Sequence, residues 1–146
     1  ARLAGELGAR VALCPYREQG MFASIQAGLA VVSEDAAVAG VFVLPADMPL
    51  VRPDSVRLLA SLLRPGGGMV LHPCVAGRRG HPPLIAAQLL PDLMAYKGEG
   101  GLKGALASLA AEHQEVETHD PGVRTDLDTP EDYARAAKSL HAKEGW

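Results

Sequence analysis

The stretch at residues 41–51, VFVLPADMPLV, constrains the fold of this chain more than any other. Its first four residues are apolar without alternation, which predicts a strand buried on both faces, as in a parallel sheet. Pro45 ends this strand, and Asp47 follows directly. Because ligands of open α/β sheets bind beyond the carboxyl ends of the strands, Asp47 is the first candidate functional residue. The simpler alternative is a solvated acid in a strand–loop–helix joint.

Strand and helix patterns alternate along the rest of the chain. The patterns predict further strands at 10–14, 69–72, 84–86 and 114–119, and helices at 21–32, 54–64, 87–94, 102–112 and from 130 onward. This alternation predicts an α/β fold, Rossmann-like and doubly wound, with a mostly parallel sheet. The chain shows no repeat or linker, so residues 1–146 are predicted to form a single domain.

Two helix starts carry capping signals. Asp54 or Ser55 is the predicted N-cap of helix 54–64, because short polar side chains accept hydrogen bonds from the free backbone N–H groups. At the last helix, Thr129 is the predicted cap, Pro130 suits the first helical position, and Asp132 completes a capping box.

Composition excludes several classes of function. Fourteen Lys and Arg stand against 17 Asp and Glu, giving a net charge of −3 without a basic run, so no nucleic-acid partner is expected. No apolar stretch approaches the roughly 20 residues of a membrane-spanning helix, so no membrane association is expected. Two cysteines, Cys14 and Cys74, are too few for a disulfide scaffold and fit a reducing cytosol, which predicts a cytoplasmic protein.

A second group of acids lies near the end of the chain. Asp126 and Asp128 occupy a turn just before the last helix, and with Asp47 they could share a hard cation. Mg²⁺ prefers one or two carboxylates together with water and phosphate oxygens, and it would screen the charge of a triphosphate. The alternative is simple helix-start chemistry, since acids favour helix N-termini. Some phosphatases use the motif Asp-x-Asp-x-Thr after a buried strand. A phosphatase is disfavoured here because Thr129 follows Asp128 directly, without the intervening residue.

One histidine lies in a loop rich in Gly, Arg and Pro. His81 could contact a substrate or act as an acid or base, or it could be an exposed loop residue. With Cys14, His72 and Cys74 it could be imagined as a zinc ligand, but the spacings match no tight zinc motif.

Several stretches together resemble one family. CPYREQGMFASIQAGL at 14–29, PADMPLV at 45–51, GRRGHPPLI at 77–85, KGEGG at 97–101 and TDLDTPED at 125–132 are similar, in order and spacing, to the MobA/MocA-like nucleotidyltransferases of molybdenum cofactor maturation. The resemblance covers about residues 10–135. The GHP loop (residues 77–83) and the acidic stretch at 125–132 look more like the cytidylyltransferase branch of the family than the guanylyltransferase branch.

The resemblance implies roles for the acids. Asp47 would be a catalytic residue that binds the metal and the nucleotide, in the position of the acid in the family's G-D-M-P motif, with Ala46 in place of Gly. Asp126 would be the second metal ligand, with Asp128 beside it.

The resemblance also implies where the substrates lie. Gly20 and Ser24 would lie along the base and ribose of the nucleotide. Gly80, His81 and Pro82 would border the pterin pocket, and His81 would take part in catalysis. The implied reaction is a Mg²⁺-dependent attack by a pterin phosphate on the α-phosphate of CTP or GTP, which releases pyrophosphate. A molybdoenzyme or its chaperone would be a partner.

One feature of the family has no counterpart in residues 1–146. Family members begin with a strand and a Gly-rich loop that cradles the triphosphate. We therefore expect an N-terminally incomplete domain that lacks the first two strands of the family fold. A non-catalytic nucleotide- or pterin-binding or interaction module of the same fold is the main alternative. A nucleotidyltransferase for sugar or isoprenoid precursors would also use two acidic residues, but the GHP loop disfavours this alternative.

Overall fold

The computed structural model describes residues 2–64 and 66–144. Within these ranges the chain forms six helices and five strands, in the order α1 (Arg2–Glu6), α2 (Met21–Val32), β1 (Gly40–Phe42), α3 (Pro53–Leu62), β2 (Met69–Val75), β3 (Arg78–Arg79), β4 (Leu84–Ala86), α4 (Leu90–Ala95), α5 (Gly101–Ser108), β5 (Glu112–Glu117) and α6 (Pro130–Glu144). Three short 3-10 turns lie at Arg17–Gln19, Ala87–Leu89 and Pro121–Arg124. None of the described helices is both long and apolar enough to cross a membrane.

The strands form one mixed sheet with mostly parallel core strands and flanking helices, which confirms the predicted α/β class. The strand order is β1-β4-β2-β3, and β5 also pairs with β2. β2 and β3 form an antiparallel hairpin in which Cys74 faces Arg79 and Val75 faces Arg78. Six of the seven residues of β2 are buried, as its apolar sequence and its several neighbours require.

The contacts divide the chain into two compact units. The first unit comprises Ala1–Val41, Arg64–Val70 and Ile85–Glu112. In it, α2 packs on α4 and α5. The amide of Gln26 reinforces this packing, because it donates to the carbonyls of Leu93, Met94 and Tyr96 at 3.1, 3.1 and 2.9 Å, where α4 ends. These bonds satisfy carbonyls that a helix end leaves free.

The second unit comprises Phe42–Leu63, Leu71–Leu84 and His113–Trp146. Its buried apolar side chains include Leu59 of α3, Leu71 of β2 and Val116 of β5. Three polar residues are buried among them, namely Ser55, His72 and Asp120. Buried polar groups of this kind need hydrogen-bond partners, and the partners described below define the candidate site.

Two predicted strands differ from the structure. Residues 10–14 are irregular, and Val11 and Leu13 are 44% and 74% exposed, because no strand of the described residues pairs with them. The predicted strand 41–44 is shorter: β1 spans Gly40–Phe42 and is half-buried, and Leu44 is exposed. Because β1 ends the strand order and pairs only with β4 among the described strands, the prediction of a strand buried on both faces is wrong.

The helix starts give one confirmation and one correction. Thr129 N and Oγ1 donate to Asp132 Oδ2 at 3.0 and 2.7 Å, and Asp132 N donates to Thr129 Oγ1, which confirms the capping box. At α3 the N-cap is Arg52, with Pro53 at the first helical position. Ser55 is not the cap because its hydroxyl is engaged by a residue from another part of the chain.

Candidate functional site

Three loops of the second unit carry most of the predicted site residues. We name them the Asp47 loop (residues 45–53), the GHP loop (residues 77–83) and the Asp126 loop (residues 120–128). Leu127 N donates to Asp47 O at 2.8 Å, and His81 N donates to Val123 O at 2.7 Å. The Asp126 loop is therefore hydrogen-bonded to both of the others, and it brings together loops that are distant in sequence.

Two glycines make this close approach possible. A Cβ at Gly122 would overlap the carbonyl oxygen of Leu50, and a Cβ at Gly80 would overlap that of Val123. In each case the obstacle is backbone, which cannot move aside as a flexible side chain can. Both positions therefore require glycine, because the backbones meet at a distance that no other residue allows.

The acids of the site face water. Asp47, Asp126 and Asp128 are exposed, whereas Met48, next to Asp47, is buried and anchors the loop. Exposed carboxylates keep their hydration and can exchange water for a hard cation. The donor chemistry of Asp47 and Asp126 therefore fits a divalent metal ion.

The described residues contain no group of three His, Cys, Asp or Glu side chains arranged to hold a metal ion. The hydrogen bond between the loops joins the backbones at Asp47 and Leu127, whereas the three carboxylates do not form a closed cage. Mg²⁺ does not require such a group, because it usually takes one or two carboxylates and completes its shell with water and phosphate oxygens.

The GHP loop is buried at its apolar end. Pro82 and Pro83 are buried, and the His81–Pro82 peptide bond is cis. His81 is half-buried, and its Nδ1 is a buried atom without a hydrogen-bond partner in the described part of the chain. Since an unpaired buried N–H is especially unfavourable, we expect the neutral ring to carry its proton on Nε2.

The predicted nucleotide-binding residues Gly20 and Ser24 lie in the first unit. Gly20 is the N-cap of α2, with φ at 88°, a positive value that favours glycine. Ser24 is exposed near the start of the same helix. Met21 is 71% exposed and Leu29 only 2%, so Met21 lies outside the buried face of α2.

The structure contains a pair of neighbouring histidines that the sequence does not indicate. His72 Nε2 lies 3.1 Å from His113 Nδ1, and the two rings stack with centroids 5.4 Å apart. Burial of His72, reinforced by the positive charge of Arg79 and by His113, lowers its pKa to about 4. Arg79 itself pairs with Glu115 at 2.8 Å. No sequence signal marked this pair, because the two residues come from strands 41 positions apart.

The zinc alternative finds no support in the geometry. Cys74 is buried, and burial raises the pKa of its thiol, which keeps it in the protonated form that binds metals poorly. Neither it nor Cys14, His72 or His81 belongs to a cluster of three metal-ligating side chains among the described residues.

Asp120 is a second residue whose surroundings the sequence does not indicate. It is 1% exposed, and its carboxylate accepts hydrogen bonds from Arg52 N at 2.8 Å and Ser55 Oγ at 2.7 Å. The sequence DPG predicts a turn at this point. It gives no indication that the acid is buried against a helix start 65 residues away.

Comparison with known proteins agrees with the fold. The profile of the MobA-like NTP transferase domain matches residues 1–121. The molybdenum cofactor cytidylyltransferase of Escherichia coli (strain K12) is 29% identical over 122 residues, which cover 84% of this chain and 59% of that protein.

Two solved structures are similar as well. The Rv0371c protein of Mycobacterium tuberculosis H37Rv, solved in complex with manganese, is 26% identical with a TM-score of 0.60, over 80% of this chain and 60% of that one. The molybdopterin-guanine dinucleotide biosynthesis protein A of Archaeoglobus fulgidus shares the fold with a TM-score of 0.64 at 18% identity, over 97% of this chain and 73% of that one. The chain thus spans less than two thirds of the cytidylyltransferase and of Rv0371c.

Proposed function

Because the chain belongs to the family of MobA-like NTP transferase domains, we propose that its protein transfers CMP or GMP from CTP or GTP to a molybdopterin-type cofactor. A phosphate oxygen of the pterin attacks the α-phosphorus, the bond from that phosphorus to the bridging oxygen breaks, and pyrophosphate leaves. The cytidylyltransferase relative favours CTP as the donor. A molybdoenzyme or its chaperone in the cytoplasm would receive the product.

We propose that Asp47 and Asp126 hold a divalent cation, with Asp128 beside them, and that Mg²⁺ is the physiological ion. A bound ion of this kind screens triphosphate charge and orients the α-phosphate. The observation that carries the proposal is the Leu127 N to Asp47 O hydrogen bond of 2.8 Å, since it joins the two acidic loops. The manganese complex of Rv0371c supports a divalent ion in a related protein.

The remaining roles concern the two substrates. In the proposal, Gly20 and Ser24 contact the base and ribose of the nucleotide. Gly80, His81 and Pro82 border the pterin. The expected Nε2–H of His81 can donate to a pterin oxygen, and the half-buried position of this residue leaves part of the ring accessible.

The test uses the natural full-length protein and measures pyrophosphate release with a molybdopterin-type cofactor and either CTP or GTP, at varied Mg²⁺. We expect Asp47→Asn to lower the rate at least about 100-fold, because a metal ligand is lost. The matched control is Asp54→Asn, an exposed acid paired with Arg57 at 2.7 Å, which should keep the rate within about twofold.

The same assay includes the outcomes that contradict the proposal. A rate unchanged by Asp47→Asn would refute the role of Asp47 in metal binding. Nucleotide and pterin binding without pyrophosphate release by the full-length protein would instead favour the non-catalytic module.

A further inference from the structure

Asp120 is a buried acid whose charge is fully partnered. Its Oδ2 accepts from Arg52 N at 2.8 Å and Ser55 Oγ at 2.7 Å, its Oδ1 accepts from Gly122 N at 2.9 Å, and Arg52 Nε lies 3.6 Å from Oδ1. A buried carboxylate is stable only when such partners replace its hydration. The three hydrogen bonds therefore fix the position of the carboxylate.

The partners of Asp120 place it at the start of α3. The N-cap residue of α3, Arg52, makes no capping hydrogen bond with its own side chain. Asp120 supplies an acceptor there from a distant part of the chain, and its negative charge suits the positive end of the helix. It thereby ties the Asp126 loop to the point where the Asp47 loop becomes helix.

The two loops run antiparallel along a line of three contacts. Asp120 meets Arg52 at one end, Gly122 packs against Leu50 in the middle, and Leu127 bonds to Asp47 at the other end. Asp47 and Asp126 themselves are exposed, and within the described part of the chain no hydrogen bond or ion pair holds either side chain. The backbone registry of the two loops therefore sets how far apart the backbones of Asp47 and Asp126 lie, and with it the range of separations that their carboxylates can reach.

We propose that Asp120 is a positioning residue that sets this registry and thereby the geometry of the divalent cation site. The inference rests on the proposed function, because it takes Asp47 and Asp126 as the metal ligands. Asp120 does not touch the ion. It acts through the backbone of both loops, and Ser55 assists by donating to it.

The experiment measures Mn²⁺ binding to the natural full-length protein by electron paramagnetic resonance of the free and bound ion. Asp120→Asn keeps the shape of the side chain but replaces one carboxylate oxygen with an NH₂ group. That group is a donor and would face the donors that now bind the carboxylate. We expect the Kd for Mn²⁺ to rise about tenfold and the spectrum of the bound ion to change. Asp54→Asn is the matched control at the same helix start, and it should change neither quantity.

Ser55→Ala provides a second variant in case Asp120→Asn does not fold. It removes one donor to Asp120 and leaves the others, so we expect a rise in Kd of about threefold. Its control is Ser61→Ala in the same helix, because the hydroxyl of Ser61 donates to the helix carbonyl of Leu58 at 2.7 Å. Thermal unfolding is measured in parallel. Loss of stability in both test variants with an unchanged Mn²⁺ Kd and spectrum would show a purely structural role and overturn the inference.

Asp47→Asn separates this inference from the proposed function. If Asp47→Asn leaves Mn²⁺ binding intact, the ligand assignment fails, and the role of Asp120 as a positioning residue fails with it. If Asp47→Asn abolishes binding while folded Asp120→Asn and Ser55→Ala bind as the wild type does, the proposed function stands and only the role of Asp120 is refuted.

Discussion

At the scale of single residues, His72 is the clearest case of a side chain whose environment changes its chemistry. It is 6% exposed on a central strand, and the groups around it are Arg79 of β3, His113 and Glu115 of β5, and His81 of the GHP loop. Burial and the positive neighbours lower its pKa from 6.5 to about 4, and only Glu115 opposes them. His72 therefore stays neutral in the folded protein at pH values where the unfolded chain protonates it.

This difference predicts a pH-dependent stability. Between about pH 6.5 and 4 the unfolded state binds more protons at His72 than the folded state does, so stability is lost as the pH falls through this window. From pH 7 to 4.5 the loss attributable to His72 should be about 2 kcal/mol. Denaturant unfolding of the wild type and His72→Gln at both pH values measures it.

The expected signature is a smaller pH slope in His72→Gln, even if that variant is less stable at pH 7. His119→Gln is the control, because it also removes one histidine, and this histidine is 89% exposed. Equal slopes in the wild type and His72→Gln would show that other groups cause the acid sensitivity.

At the scale of elements, the sequence was informative where the signal is local and weak where partners are distant. The apolar run at 84–86 and the capping box at Thr129 depend on neighbouring residues, and both are confirmed. The strand at 10–14 fails because a strand also needs a partner, which periodicity does not show. The predicted helix 102–112 is shorter in the structure. α5 ends at Ser108, and the chain has already entered β5 at Glu112.

The candidate site shows the same contrast between local signals, which the sequence carries, and distant contacts, which it does not. Sequence placed Asp47 just after a strand and Asp126 just before a helix, and both placements agree with the structure. The hydrogen bonds from Leu127 to Asp47 and from Ser55 to Asp120 join segments 65 or more residues apart in sequence. No single stretch of sequence contains both partners, so only the folded chain shows the two loops in contact.

The contact between these loops predicts how two glycines respond to the same substitution. In Gly122→Ala the new methyl group would overlap Leu50 O, so the loops must separate, and we expect a loss of about 3 kcal/mol in the free energy of unfolding. Gly28 lies inside α2, and in Gly28→Ala the methyl group would meet no atom of another described segment within 4 Å, so the better helix former should add about 1 kcal/mol.

Chemical denaturation of the two variants beside the wild type checks this pair. The two effects have opposite signs, so the comparison does not depend on the absolute accuracy of either value. A Gly122→Ala protein as stable as the wild type would mean that the loops can move apart freely, which would also remove the basis for a fixed registry at the metal site.

At the scale of the whole molecule, a metal site that exists only in the folded protein must stabilise it. The acids that would hold the ion lie on loops joined by backbone hydrogen bonds, and an unfolded chain has no such arrangement. Binding to the folded state alone raises the free energy of unfolding by RT ln(1 + [L]/Kd), which is about 2.7 kcal/mol when the ion is at 100 times its Kd. Removing the ion with a chelator must reverse the gain.

We therefore expect Mn²⁺ or Mg²⁺ to raise the melting temperature of the natural full-length protein in a concentration-dependent way, and EDTA to abolish the rise. Asp47→Asn should melt at the same temperature with and without the ion, because it lacks a ligand. Asp54→Asn should respond as the wild type does, since Asp54 is an exposed acid that pairs with Arg57 at 2.7 Å. A rise of equal size in Asp47→Asn would place the stabilising ion elsewhere on the molecule. Because this measurement needs neither substrate, it tests the metal site even where the reaction is not observed.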